Sequence, residues 1–121
     1  MFGLSEKMRE KKIKFILIQI DEAHSTAWPI GLKNAPEPQK SFEERIYRAN
    51  EFVNNDNPPF PVYVDGWDNI FAETFRAWPD KYYCINNKYE IIGKSKYGNQ
   101  GDNDALIVED CTVLINKLLE Q

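Results

Sequence analysis

The sequence predicts an α/β domain, with one mixed sheet flanked by helices. Three observations predict it. A β-rich apolar run, Phe15-Ile16-Leu17-Ile18-Gln19-Ile20, stops at Asp21-Glu22-Ala23-His24. Strand-like and helix-like segments alternate along the middle of the chain. The chain then closes on a hairpin followed by an amphipathic helix. An apolar run with polar punctuation after it reads as a buried strand of a largely parallel sheet. In open α/β sheets ligands bind beyond the carboxyl ends of strands. Two acids and the chain's only histidine therefore stand where chemistry is expected.

Each element has a local reason. Residues 5–12 read as the end of a charged helix, with Ser5 a cap and Met8 a core contact. Residues 13–20 are the first strand. Residues 21–40 are irregular, with Pro29, Gly31, Pro36 and Pro38, and so long a connection in a compact domain is usually functional. Ser41 then caps a helix, and Glu44 completes a capping box. Phe42, Arg45, Ile46, Ala49 and Val53 give that helix a partial apolar stripe. Residues 54–59 end it with turn-forming side chains. Residues 60–64 are the second strand, ending at Asp65-Gly66. Residues 69–78 form a short helix with Ile70, Phe71, Phe75 and Trp78 inward. After Pro79, residues 81–85 and 89–92 form a hairpin through Asn86-Asn87-Lys88, where Asn tolerates the positive φ of a tight turn. The last helix runs from about Asn103 to Leu119, with Ile107, Cys111, Leu114, Ile115 and Leu118 at helical spacing.

The totals bound the function. The 121 residues are enough for one domain, residues 1–121, with a single core. With 42% hydrophobic and 13% aromatic residues, a packed fold is expected. A net charge of −4 argues against a nucleic-acid partner, which calls for a basic patch. No apolar stretch approaches a membrane span, and the N-terminus lacks the apolar core of a secretory signal. Cys84 falls within an apolar strand and Cys111 on the apolar stripe of the last helix. They read as two core thiols in a reducing, cytoplasmic compartment, with a disulfide or a metal pair as the minority reading. Asp65 and Asp68 read as helix caps or solvated acids rather than Mg²⁺ ligands. No metal and no cofactor is expected.

Asp21-Glu22-Ala23-His24 also spells a helicase motif, in which the acids hold Mg²⁺ against a nucleotide. That chemistry needs a phosphate loop, G-x-x-x-x-G-K-[ST]. Gly93-Lys94-Ser95 supplies its tail, but Lys88 stands where the first Gly belongs, and the segment lies downstream of the acids.

A second set of letters covers more of the chain. Glu22-Ala23-His24 with Trp28, Ser41-Phe42-Glu43-Glu44-Arg45, Pro61-Val62-Tyr63-Val64-Asp65 with Asp68-Asn69, and Ala77-Trp78-Pro79-Asp80-Lys81-Tyr82-Tyr83-Cys84-Ile85 occur in that order. Together they resemble the signatures of the iodothyronine deiodinase family, a thioredoxin-fold group. The closing order of Pro, strand, turn, strand and helix likewise resembles the C-terminal half of that fold. The resemblance implies an oxidoreductase that removes iodine from halogenated phenols with a thiol reductant. It implies catalytic roles for Glu22 and His24, near the delivery of a proton, and substrate contacts from Trp28 and Pro79.

The family works through a selenocysteine or cysteine at the end of a strand that precedes its first helix. Neither that strand nor that nucleophile is among these residues, so the resemblance implies an N-terminally truncated thioredoxin-like domain, inactive by itself. The strands at Phe15 and Tyr82 normally flank the absent one. Their edges are expected to be open, and a second copy of the chain could pair there. The departures are specific: Gln39 stands for a second family histidine, Gln19 for a tyrosine, the connection between His24 and Trp28 is one residue shorter, and Lys96 only loosely matches a basic position. They weigh against thyroid hormone itself as substrate. The alternatives are a redox-dead binding module that keeps the pocket, or a thiol peroxidase-like protein with its reactive cysteine upstream. An imidazole titrates near neutrality, which suits His24 to proton transfer, and equally to a structural hydrogen bond in a loop.

Overall fold

A computed structural model of the chain describes residues 2–21, 37–77, 81–96 and 107–120. They belong to two compact units, Ile16–Pro79 and Met1–Phe15 with Asp80–Gln121. The helices and small sheets place the chain in the α/β class.

Ile16–Pro79 is a strand–helix–strand–helix unit. Strand β1 (Leu17–Gln19) pairs in parallel with β2 (Val62–Val64), in the register Leu17↔Val62, Ile18↔Tyr63, Gln19↔Val64. Parallel partners need a crossover, and helix α2 (Phe42–Asp56) supplies it and packs on β2. Ser41 caps α2 as the sequence predicts, its Oγ accepting from the Glu44 N–H at 3.2 Å. The Glu44 carboxylate accepts from the Lys40 N–H, one residue before the expected Ser41. The helix outruns its predicted end at Asn54 and stops at Asn57, whose left-handed backbone (φ 45°) returns its N–H to the Val53 carbonyl. Helix α3 (Ile70–Phe75) follows β2 and closes at Arg76, again left-handed at φ 52°. The apolar centre is Ile20, Ala72 and Ala77, with Ile18 and Phe71 against it.

In the other unit, helix α1 (Phe2–Lys7) lies earlier than the predicted residues 5–12. Ser5 is a buried mid-helix residue, not a cap, and Met8 is a core contact as expected. Strands β3 (Tyr83–Ile85) and β4 (Ile91–Lys94) form the antiparallel hairpin, with Tyr83↔Lys94, Cys84↔Gly93 and Ile85↔Ile91 paired around a bulge. The second strand begins two residues later than expected because Asn86 organises a wider turn. Its Oδ1 accepts from the Lys88 and Glu90 N–H groups, both at 2.9 Å. The positive φ falls on Tyr89 (63°), not on an asparagine. Ser95 prolongs the ladder, donating its N–H to the Tyr82 carbonyl while its Oγ accepts from the Tyr82 N–H. Helix α4 (Val108–Leu119) packs on β3 and β4. Its expected first residues, 103–106, lie outside the described ones. Leu4, Cys111 and Ile115 form the core, with Met8, Ile13, Phe15 and Tyr82 packed on it.

Among the described residues the four strands hydrogen-bond as two pairs, β1 with β2 and β3 with β4, where the sequence reading expects one mixed sheet. β1 is correspondingly only half-buried, where a fully buried strand was expected, and Ile16 before it is exposed. The stripes also shift. In α2 the buried positions are Arg45 and Ala49, while Phe42, Ile46 and Val53 are exposed. In α3 Ala72 is buried and Ile70 points to solvent. Among the described residues no helix is long and apolar enough to cross a membrane.

Candidate functional site

The four residues that the sequence nominates, Glu22, His24, Trp28 and Pro79, lie outside the described residues. The structure does describe the base from which the first three spring. Segment 22–36 leaves the carboxyl end of β1 at Asp21 and rejoins the described chain at Glu37. Both stems are held by α2, through one guanidinium and its neighbour one turn on.

That guanidinium is Arg45, 1% exposed. Its Nη1 donates to the carbonyls of Asp65 (3.2 Å) and Gly66 (2.8 Å), and Nη2 donates to Asn69 Oδ1 at 2.9 Å. Nε donates to Gln39 Oε1 at 3.4 Å, and the ring of Trp67 lies 4.9 Å from the guanidinium carbon. Asp21 Oδ1 stands 3.7 Å from Nη2 and supplies a counter-charge. Arg48 Nη2 donates to the Glu37 carbonyl at 2.6 Å. A buried charge is tolerated only when paired and hydrogen-bonded, and Arg45 is both. The planar fork suits this task, since it reaches several acceptors in fixed directions. Arg45 therefore ties three things together: the end of β1, the turn after β2, and the far stem of segment 22–36.

Asp65 is equally committed. Its two carboxylate oxygens accept the N–H groups of Phe71 and Ala72, each at 3.0 Å, and so serve first-turn donors of α3 that have no acceptor within the helix. Asp68 Oδ1 accepts from the Ile70 N–H at 3.3 Å. The two acids cap α3, as the sequence reading prefers over metal binding. Among the described residues no three His, Cys, Asp or Glu side chains gather as a metal site. Gln39, which stands for the family's second histidine, is buried beside Arg45, and its Nε2 has no partner among the described residues. Gln19 donates Nε2–H to the neighbouring Ile20 carbonyl at 3.3 Å.

Sequence reasoning missed Arg45 by counting it into an apolar stripe. The signal was present: a charge on the inner face of a helix must find partners there. The two cysteines are where the sequence puts them, both buried and neither in a disulfide. The thiols are hydrogen-bonded to each other; this holds Cys84 below the ordinary thiol range and pushes Cys111 well above it, with burial adding to the rise. Tyr82 beside them is pushed up to about 12, mainly by burial and then by the charges of Cys111, Asp110 and Cys84. A shallow groove between α1 and α4, lined by Gly3, Leu4, Lys7, Met8, Val108 and Thr112, brings no acid, imidazole or thiol together. No protein-family model matches the chain.

Proposed function

We propose that this chain is a thioredoxin-like domain of the iodothyronine deiodinase type, the substrate side of a reductive dehalogenase of iodinated phenols in a reducing, cytoplasmic compartment. The observation that carries the proposal is the base built on Arg45. A parallel strand–helix–strand unit ends β1 beside Asp21, held by Arg45, and the carboxyl ends of strands are where open α/β sheets take their ligands.

In this reading a thiolate or selenolate takes iodine from the ring carbon. His24 delivers the proton that replaces it, Glu22 orients His24 or the phenol, and Trp28 and Pro79 flank the ring. A thiol then reduces the chalcogen–iodine bond and releases iodide. Both cysteines of this chain are buried, out of reach of an aromatic ring, so in this reading the chain by itself performs no turnover. That burial also favours the second reading, a redox-dead binding module that keeps the pocket.

Titration of the purified chain with diiodophenol tests the substrate class without needing a nucleophile. The expected result is saturable quenching of tryptophan emission by the iodine atoms, with affinity at least about tenfold weaker in Trp28→Ala and in His24→Ala. Absence of saturable quenching at millimolar phenol removes iodinated phenols as ligands. With dithiol reductant the same chain should release no iodide. Release abolished by Cys84→Ser or Cys111→Ser would make one of those buried thiols the nucleophile.

A further inference from the structure

Leu114 of α4 sits over Gly93 of β4. A β-carbon at Gly93 would meet the Leu114 Cδ1 at 2.8 Å, closer than packed atoms approach, and its Cγ at a tight 3.1 Å. The missing side chain lets the helix settle onto the hairpin. Gly93 is paired directly across the ladder with Cys84. Cys111 lies three residues before Leu114, on the same face of α4. The seat that Gly93 provides therefore brings the Cys111 face of α4 over Cys84 of β3, and both thiols are buried.

We propose that Cys84 and Cys111 are a redox modification site, a dithiol that a hydroperoxide converts to an intrachain disulfide locking α4 onto β3. Cys84 is the attacking sulfur, because the Cys111 S–H stabilises its thiolate. The thiolate attacks one oxygen of hydrogen peroxide. An S–O bond forms, the O–O bond breaks, and the departing hydroxide takes up a proton to become water. Cys84 is now a sulfenic acid. The Cys111 sulfur attacks it, the S–S bond forms, and the S–O bond breaks. The hydroxyl leaves as water with the Cys111 proton. Two thiols lose two electrons and one peroxide becomes two waters. Exposures of 7% for Cys84 and 5% for Cys111 make the first step slow, and the adjacent thiol makes the second fast relative to further oxidation. The reaction is stoichiometric and needs no other site on the chain.

The test is peroxide treatment of the purified chain, followed by alkylation under denaturing conditions and intact-mass and peptide analysis. The expected product is lighter by two hydrogens and takes up no alkylating agent. It yields a Cys84–Cys111 linked peptide, returns to two free thiols with dithiothreitol, and melts about 10 °C higher than the reduced chain. Cys111→Ser, which keeps a donor at that position, should stop at a sulfenic acid on Cys84 that dimedone traps. Gly93→Ala should slow disulfide formation by about tenfold or more, since it lifts α4 from its seat. Two free thiols after peroxide, direct passage to sulfinic acid in the unsubstituted chain, or linkage only between chains would each overturn the proposal. These outcomes read on the unsubstituted chain alone, so they stand even where a variant fails to fold.

Discussion

Asp21 and Gln39, on opposite sides of segment 22–36, meet on one side chain: Arg45 faces the Asp21 carboxylate with Nη2 at 3.7 Å and donates Nε–H to Gln39 Oε1 at 3.4 Å. The same guanidinium also holds the carbonyls of Asp65 and Gly66. Both stems of segment 22–36 thus rest on one buried charge, and that dependence is measurable.

Arg45→Ala should cost about 3–5 kcal/mol of unfolding free energy, because it strands the carbonyls of Asp65 and Gly66 and the Asn69 amide without donors. Urea unfolding of the two proteins gives the value. A loss under about 1 kcal/mol would show that water replaces the guanidinium readily.

Removing the Asp65 carboxylate should cost less. Asp65→Ala leaves the Phe71 and Ala72 N–H groups without their acceptor, at about 1–3 kcal/mol by the same measurement. Added Mg²⁺ should leave the stability of the unsubstituted chain unchanged, since both oxygens are taken by the helix.

Gly93→Ala should destabilise by about 1–3 kcal/mol through overpacking against Leu114. Leu114→Ala opens the same space, so the double variant should be less unstable than the sum of the two singles. Strict additivity in that cycle would show that the helix is not seated on the glycine.

Tyr82 makes the unit that contains it sensitive to alkali. Its folded pKa, pushed up to about 12 from 10.0, means that the folded chain keeps a proton which the unfolded chain releases. Stability from this group is complete below pH 10 and declines as pH rises towards about 12. The ultraviolet absorbance titration of the unsubstituted chain minus that of Tyr82→Phe should show a phenolate midpoint near 12. A midpoint near 10 would place the hydroxyl in open water.

In a form supplied with the nucleophile, His24→Ala should lower kcat/KM for iodinated phenols by about 10²-fold or more, the range of a positioned acid–base group. Glu22→Gln should also impair it, and Lys12→Ala should have little effect. Thermal melts of each variant separate lost chemistry from lost folding. Unchanged turnover in His24→Ala would return that residue to a structural part in its loop.

What the sequence made legible was local. The Ser41 cap, the hairpin around Asn86, the capping acids Asp65 and Asp68 and the burial of both cysteines are each written in neighbouring residues, and the structure has them. What it hid was long-range. Arg45 falls at helical spacing among apolar residues, and spacing alone does not reveal the carbonyls of Asp65 and Gly66 that it will meet. Whether β1 and β3 join one sheet depends on a partner strand that no pattern within β1 or β3 specifies. The hairpin slipped by two residues because the Asn86 side chain joins its backbone in organising the turn. The candidate site is legible only as a place. The carboxyl end of β1 is where the sequence puts it, and Glu22, His24, Trp28 and Pro79 lie outside the described residues.

The grip of α2 on Asp21, Glu37 and Gln39 has a consequence for how such a protein can change over generations. The two ends of segment 22–36 are fastened by the scaffold before the segment contributes anything. Loop-closure entropy grows only slowly with length, by about 0.6 kcal/mol for each doubling. Residues between the two stems can therefore be exchanged, lengthened or shortened as a cassette while the frame beneath them stays folded. A new specificity could then be acquired by grafting, with Arg45 as the fixed socket.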